Sequence, residues 1–329
     1  MRLAGRSGFT LVEVLAAVAI LTIAMAAVFS TFDFQQKSYT TQSRIAEMQQ
    51  NLRLAEAYLD RDIRMAGYGI PSAGAPEGVT VPVGLLPSGT AIRTLFPVDS
   101  TAGPDSLYIL YLYDMDTNQP PTTNTNIMLS GSGQVSVASI SGFLAGGGEL
   151  VLITDGITAD LFETSAAAGG VLTFGGGMNY NTAAHPKFPA GGYGVGPPAS
   201  TVAKARFLRY FIDSVTDPVH PTLMVDRMMA GQAPQPVADD IEDMQFRYGL
   251  DTTGTPDGIV DTWVDNVTTA QITQIRQVRI FLLARTRTQE TGWNEIRPAL
   301  GNRAAGTTAD GYKRRILDKV VHVRNSGLP

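Results

Sequence analysis

A single carboxylate, that of Glu13, interrupts the long apolar stretch between Gly8 and Phe32. An ionised Glu at the centre of a membrane-spanning helix costs roughly 2.5–3.5 kcal/mol, and less near the end of the helix. A segment that served only as an anchor would have no reason to contain this charge. We therefore expect Glu13 to have a partner, and the chemistry open to it is pairing with a positive charge.

A second group of carboxylates, those of Asp251, Asp257 and Asp261, lies in a glycine-containing turn. Converging carboxylate oxygens of this kind can bind calcium. Thr253 and Thr255 stand where further carboxylates would be expected, however, and no Glu follows at the distance of a bidentate ligand. The pattern favours a hairpin turn with Asp-Gly chemistry, and a weak calcium loop is the alternative. No other cofactor is predicted.

The rest of the sequence contains no catalytic constellation. The three histidines, His185, His220 and His322, are scattered, so each is expected to be solvated or packed and not to bind a metal. The glycine-rich runs do not follow a strand and open a helix with the Lys-Ser/Thr pair of a phosphate-binding loop. The acidic run at residues 239–243 is expected to form a solvated turn or a helix N-cap. We therefore predict that the chain is not an enzyme.

A basic leader precedes the apolar stretch: residues 1–8 carry Arg2 and Arg6 but no acid. The positive-inside rule places this end in the cytoplasm and the rest of the chain across the membrane. The apolar run is long enough to span a bilayer core, which takes roughly 20 residues. Gly8 stands before this run, whereas a secretory signal is cleaved after its apolar core. Cleavage after Gly8 would remove the leader and keep the apolar helix on the mature chain.

The segment GFTLVE, from Gly8 to Glu13, resembles the processing motif of type IV prepilins and type II secretion pseudopilins. The resemblance implies that a membrane peptidase cleaves after Gly8 and methylates the new amino terminus at Phe9. It also implies that Glu13 is the assembly glutamate of that family. In a bundle of such helices, the positively charged Phe9 terminus of a neighbouring subunit would neutralise Glu13, and the pair would select the register.

The helix that begins at Phe9 is expected to continue to about Ala66, because no proline precedes Pro71 and no glycine lies between Gly8 and Gly67. Apolar residues recur at spacings of three and four and predict an amphipathic face: Ile45, Met48, Leu52, Ala55, Leu59 and Ile63. The charged residues on the other side are expected to form a solvated surface: Arg53, Glu56, Asp60 and Arg64. This half of the helix should be the spine onto which a globular head folds.

Four domains are predicted along the chain: a leader at residues 1–8, a transmembrane or filament-core helix at 9–32, a periplasmic amphipathic continuation at 33–70, and a globular β-rich head at 71–329. The chain has no cysteine, so disulfides are not available, and its formal net charge of −5 argues against a nucleic-acid partner.

The head is predicted to consist of short strands separated by loops rich in Gly, Pro, Thr and Asn. The expected strands are Ser106–Tyr113, Glu149–Thr154, Val171–Phe174, Lys204–Asp213, Thr222–Asp226, Met244–Leu250, Val278–Arg287 and Val320–Arg324. The expected loops are Ser72–Pro104, Met115–Gly133, Gly175–Ser200 and Asp251–Gln271. The predicted fold class is α+β, with a long N-terminal transmembrane and spine helix packed against a mainly antiparallel, pilin-like head.

The C-terminal third carries a second resemblance. The segment from Asp239 to Asp251, the run VRIFLLART from Val278 and the run YKRRILDKVVHVRN from Tyr312 are similar to PilW-type minor pilins. This resemblance implies a minor type IV pilin that primes, assembles or tips the pilus, with functions in twitching motility and adhesion. The alternatives are a minor pseudopilin of a type II secretion or DNA-uptake system, and a pilus-tip adhesin that binds through its long loops.

The two resemblances together imply the partners and the location. The expected partners are other minor and major pilins, the prepilin peptidase, the inner-membrane assembly platform and the lipid bilayer. The expected location is the inner membrane, with a single pass, a cytoplasmic N-terminus and a periplasmic head. After assembly, the subunit would lie in the pilus at the cell surface.

Overall fold

The computed structural model describes residues 10–70, 94–113, 122–123, 133–154, 159–175, 200–229 and 231–324. These residues form one long helix, α1, and a series of strands. The chain divides into two compact units, Met1–Glu47 and Met48–Pro329, and the second unit is called the head below. The second half of α1 packs within the head, and the predicted domain boundaries at residues 33 and 71 stay predictions.

The elements follow one another in this order: α1 Leu11–Met65, β1 Leu95–Val98, β2 Ser106–Leu112, β3 Thr122–Thr123, β4 Gln134–Ser136, β5 Leu150–Thr154, β6 Ala159–Glu163, β7 Ala166–Ala168, β8 Val171–Thr173, β9 Thr201–Asp213, β10 Thr222–Asp226, β11 Gln235–Ala238, β12 Ile241–Leu250, β13 Thr262–Val264, a 3₁₀ helix Thr269–Gln274, β14 Ile275–Arg285, β15 Glu295–Ile296, β16 Ala309–Asp310 and β17 Arg314–His322.

The predicted helix is confirmed, since α1 runs without a break from Leu11 to Met65. No glycine or proline interrupts it, and it ends where Gly67 and Gly69 adopt positive φ angles of 77° and 72°. Within the head, its buried side is the predicted apolar face: Met48, Leu52, Ala55, Leu59 and Ile63. Burial of this face, and not helix propensity alone, stabilises the second half of α1.

Two larger antiparallel sheets form the head. In the first, the strand order is β1-β2-β9-β10-β11, with β3 and β5 also paired to β9 and β6 paired to β5. In the second, the order is β13-β12-β14-β17. A three-stranded sheet, β4-β8-β7, and the β15-β16 pair complete the described strands. The predicted α+β class with a mainly antiparallel head is confirmed.

Each of the eight predicted strands overlaps an observed one, but three predicted loops contain a short strand. Strand β3 lies inside the predicted loop Met115–Gly133 and pairs with β9. Strand β1 lies inside the predicted loop Ser72–Pro104 and pairs with β2. Strand β13 lies inside the predicted loop Asp251–Gln271 and pairs with β12 at Tyr248–Leu250. Strands β1 and β13 have only three or four residues, which is too few to show a periodic pattern. Each forms because it pairs with a longer neighbouring strand.

Asp105 joins the two sheets, because it precedes β2 and contacts β12 through both its backbone and its side chain. Its N–H donates to the carbonyl of Met244 at 2.8 Å. Its carboxylate accepts from the N–H groups of Ser100 at 2.8 Å and Phe246 at 2.9 Å. The side chain is buried, and burial raises the pKa of Asp105 to about 7. This carboxyl group therefore titrates near neutral pH in the folded head.

We expect the free energy of unfolding of the head to fall as the pH rises from about 4 to about 7. In this window the unfolded chain has released the Asp105 proton, since an ordinary Asp titrates near pH 3.9, while the folded head still holds it. The slope at mid-window should be about −1 kcal/mol per pH unit. Urea unfolding at several pH values measures it. Asp105→Asn should flatten the profile, whereas Asp265→Asn, at a partly exposed ion pair, should not; equal slopes in both variants would contradict the assignment.

Candidate subunit-assembly site

The described residues begin at Thr10, so the predicted processing residues Gly8 and Phe9 lie outside them. Glu13 lies in the first turn of α1. Its carboxylate accepts hydrogen bonds from the Thr10 N–H at 3.0 Å and the Thr10 hydroxyl at 3.1 Å, and the Thr10 hydroxyl accepts from the Glu13 N–H at 3.3 Å. Thr10 and Glu13 thus form a reciprocal capping box, which fixes where the helix begins.

The capping box holds the Glu13 carboxylate at the N-terminal end of α1. At that end the unpaired backbone N–H groups give the helix dipole its positive pole, which favours a negative charge. Part of the cost of placing a carboxylate on an apolar helix is therefore offset within the same chain. The remaining negative charge is exposed on the side of the helix and is available to a neighbouring cation.

The helix around Glu13 presents apolar side chains on all sides. Its most apolar section is long and apolar enough to cross a membrane, and none of that section is buried against the rest of the chain. Phe29 and Phe34 are 66% and 74% exposed. The hydroxyls of Thr22, Ser30 and Thr31 donate back to helix carbonyls, so these polar groups are satisfied without water. A surface of this kind needs lipid or other helices to cover it.

Within the head, two acids of α1 contact the last strand. Lys319 of β17 donates to Glu56 at 2.6 Å, and its ammonium lies 3.4 Å from Asp60. Asp60 also pairs with Arg64 one turn later at 2.8 Å. The prediction that these acids form only a solvated helix surface was therefore wrong for Glu56 and Asp60, because a lysine from a distant strand reaches both.

Asp62 is an unpredicted buried acid at the junction of α1 and the first sheet. Its carboxylate is fully buried and accepts hydrogen bonds from the hydroxyls of Tyr111 at 3.1 Å and Tyr210 at 2.5 Å. Arg61 donates to the same carboxylate at 2.8 Å. Burial and the adjacent carboxylate raise the pKa of Tyr210, so its hydroxyl stays protonated and remains a donor. One sequence signal could have identified Asp62 as buried: it lies three residues after Leu59, on the apolar face of the helix.

The acidic run at residues 239–243 is not the solvated turn that the sequence suggested. Asp240 is buried, lies in the left-handed region with φ of 58°, and contacts the ring of His220 at 2.9 Å. Asp243 is fully buried and pairs with Arg303 at 2.9 Å and Arg297 at 3.2 Å. The run is an internal anchor for the segment between β15 and β16, because Arg297 and Arg303 of that segment fold back onto Asp243.

The candidate calcium loop is held by hydrogen bonds among its own residues. Asp251 is buried, accepts from the Thr253 hydroxyl at 2.8 Å, and pairs with Arg276 at 3.1 Å. Asp261 accepts from the N–H of Thr252 at 2.7 Å. The described residues contain no group of three or more carboxylate or imidazole side chains arranged to hold a metal ion. At Asp251 an arginine supplies the positive charge, and calcium binding by Asp251, Asp257 and Asp261 stays a prediction.

Comparisons with known proteins match both ends of the chain. The model of the prokaryotic N-terminal methylation motif matches residues 3–29, and the model of the Type IV Pilus-assembly protein W family matches residues 209–325. A solved structure of a type IV-like pilin from Thermus thermophilus is 12% identical, with coverage of 84% of this chain and 97% of that chain and a TM-score of 0.36. No curated protein matches the sequence.

The N-terminal match, together with the exposed apolar helix, gives the class of protein that this chain resembles: the membrane-anchored, type IV pilin-like proteins. The C-terminal match shows similarity to the PilW type within that class. The match begins in β9 and includes β12, β14 and β17, so it covers all four strands of the second sheet. Both resemblances stated from the sequence are confirmed, and the family is one of structural subunits whose partners are pilus components.

Proposed function

We propose that this protein is a minor pilin, a structural subunit that is built into a type IV pilus and helps to prime or tip it. The observation that carries the proposal is the first turn of α1, where a capped carboxylate stands on an otherwise apolar and exposed helix. Such a helix is suited to leave the bilayer and bundle with others like it. The function is assembly, and no turnover of a substrate is involved.

The proposed mechanism starts with cleavage between Gly8 and Phe9 by the prepilin peptidase, which creates a new amino terminus. The Thr10 cap holds the Glu13 carboxylate at a fixed height on the helix. When two subunits come together away from water, this carboxylate pairs with the amine of the neighbouring Phe9. Unpaired, the two charges would be costly in an apolar core, so the pair selects one stagger between helices.

The orientation and the remaining partners belong to the same proposal. Arg2 and Arg6 hold the N-terminus in the cytoplasm, so the chain crosses the inner membrane once and places the head in the periplasm. The subunit then binds the assembly platform, which extrudes it together with other minor and major pilins. The pilus finally presents the head at the cell surface, where it contributes to twitching motility and adhesion.

The first prediction is that Glu13→Ala lowers the amount of this subunit in sheared pili at least about tenfold. An unpaired amine in the filament core should cost more than about 1.4 kcal/mol, which is one factor of ten. Quantitative mass spectrometry of pili, normalised to membrane levels, measures the effect. Processing should stay normal, with an N-methylated Phe9 on the membrane form.

Glu13→Gln is the matched variant for that experiment, because glutamine keeps an oxygen that can accept from Thr10 while it removes the charge. Charge pairing predicts that Glu13→Gln is excluded from pili as strongly as Glu13→Ala. Normal incorporation of Glu13→Gln would show that the helix cap alone matters. Normal incorporation of both variants would contradict the proposed assembly function.

The main alternative, a minor pseudopilin of a type II secretion or DNA-uptake system, shares the N-terminal motif. A deletion strain separates the two when twitching motility and exoprotein secretion are measured side by side. Loss of secretion with normal motility would favour the pseudopilin. The tip-adhesin alternative relies on the loops Ser72–Pro104 and Gly175–Ser200, most of which lie outside the described residues.

A further inference from the structure

Strand β17 lies at the edge of the second sheet and pairs with β14 on one side. Two backbone hydrogen bonds at the ends of that pairing show which residues of β17 bond to β14. The N–H of Thr286 donates to Lys313, and the N–H of Val323 donates to Arg276. Because bonded and non-bonded pairs alternate in an antiparallel ladder, the odd-numbered residues of β17 bond to β14. The N–H and C=O groups of the even-numbered residues point away from the sheet.

The outward-pointing residues of β17 include Ile316, Asp318, Val320 and His322. No strand in the described part of the chain pairs with this edge. Ile316 and Val320 are 44% and 39% exposed. Natural sheets protect long edges with prolines, bulges or a covering segment, because an open edge is a template for another strand. β17 has nine residues, an unbroken register with β14 and no proline, so within the described residues neither a bulge nor a proline blocks its edge.

A groove of about 300 Å³ runs between this edge and α1. It is lined by Gln49, Leu52 and Arg53 of α1 and by residues 315–318 of β17, whose one acid, Asp318, is paired with Arg279 at 2.6 Å. Arg53 and Arg315 are exposed. Among the described residues neither has a carboxylate within ion-pair distance, whereas nearby Lys319 has two. The groove therefore offers two cations and a row of backbone donors and acceptors to a partner.

The charges of the groove argue against a second copy of this chain as that partner. Pairing of two β17 edges about a twofold axis near Arg315 would place the basic residues of both copies close together. Like charges directly opposite each other destabilise a strand pair. A strand that carries an acid, in contrast, would gain charge-assisted hydrogen bonds from Arg53 and Arg315.

We propose that the outer edge of β17 is a strand-addition site for the head of a different, neighbouring pilin. That pilin contributes an extended segment with an acidic side chain opposite Arg53 and Arg315. Main-chain hydrogen bonds to the edge supply affinity, and the two arginines set the register and exclude strands that lack an acid. The proposal rests on the pilin function argued above and names the kind of partner that the head contacts.

Val320→Pro tests the edge without breaking the sheet, because the Val320 N–H points outward and proline is tolerated at such edge positions. The variant loses one intermolecular donor and places a ring against the added strand. We expect its amount in sheared pili to fall at least about fivefold. Val320→Thr keeps the N–H and should enter pili normally. Both variants should unfold in urea within error of the parent chain, so a folding defect is excluded.

The arginines provide a second test that leaves the backbone intact. The double variant Arg53→Gln/Arg315→Gln should also enter pili at least about fivefold less than the parent, since a charged hydrogen bond contributes more than a neutral one. Arg227→Gln is the control, because Arg227 is likewise exposed and has no ion pair among the described residues. Equal incorporation of the double variant and the control would overturn the charge-matched part of the proposal.

The absence of cysteine from the chain allows a direct identification of the partner. Ile316→Cys places a unique thiol on the edge, and a short thiol-to-amine cross-linker is then applied to intact pili. The expected product joins residue 316 to an extended, acid-containing segment of another pilin, and Val320→Pro should abolish it. Products that join two copies of this chain, or none to a pilin, would overturn the proposal.

These results separate the edge proposal from the assembly function. If Glu13→Ala is excluded from pili while Val320→Pro enters them as Val320→Thr does, strand addition is wrong and the pilin function stands. If both Glu13 variants enter pili normally, the assembly function itself fails, whatever the cross-links show.

Discussion

Replacement of Asp243 by alanine is expected to lower the free energy of unfolding of the head by about 3–5 kcal/mol. The Asp243 carboxylate is fully buried and pairs with Arg303 at 2.9 Å and Arg297 at 3.2 Å. Both guanidinium groups are themselves mostly buried. Without the carboxylate, two cations would remain in a poorly hydrated site, and their desolvation would no longer be offset.

Urea unfolding of the full chain in detergent measures this loss. Both tryptophans of the chain, Trp263 and Trp293, lie in the head, so their fluorescence reports its unfolding. Asp318→Ala is the control, because Asp318 pairs with Arg279 on the surface with both side chains 40% exposed. That variant should lose less than about 1 kcal/mol. Similar losses in the two variants would show that the Asp243 pairs contribute no more than a surface ion pair.

The sequence was sufficient to predict the elements that have strong local signals. The length of α1 follows from the absence of glycine and proline between Gly8 and Gly67, and its apolar residues marked the buried face correctly. Strands β2, β9 and β14 are long apolar runs and were predicted within a few residues. Strand β1 was missed because it is four residues long and contains Pro97, which pairs at the edge of the first sheet.

The buried acids could not be predicted, because their partners are distant in sequence. Asp243 meets arginines more than 50 residues later, and Asp62 meets tyrosines from β2 and β9. Composition alone suggests that such acids are solvated, since unpaired acids are rarely buried. The capping box at Glu13 was, in contrast, readable from the Thr10-x-x-Glu13 spacing. Glu13 therefore has a local role, as the cap of α1, beside the pairing with a neighbouring subunit that the sequence suggested.

The second large effect is expected for Asp62→Leu, which should lower the free energy of unfolding of the head by about 3 kcal/mol. The substitution removes the acceptor for two buried hydroxyls, those of Tyr111 and Tyr210, and each buried donor left without a partner costs about 1–3 kcal/mol. The same urea experiment measures the loss. Arg61 contributes little, because its side chain is 56% exposed and water can replace the carboxylate.

The triple variant Asp62→Leu/Tyr111→Phe/Tyr210→Phe distinguishes unsatisfied donors from lost packing. Removal of both hydroxyls together with the carboxylate leaves an apolar site of similar shape, and such exchanges are often nearly neutral. We therefore expect the triple variant to regain most of the stability that Asp62→Leu loses. A triple variant as unstable as Asp62→Leu would mean that the leucine does not fit between α1 and the first sheet. The loss would then come from packing, and the hydrogen bonds to Asp62 would not be what fixes the spine to the head.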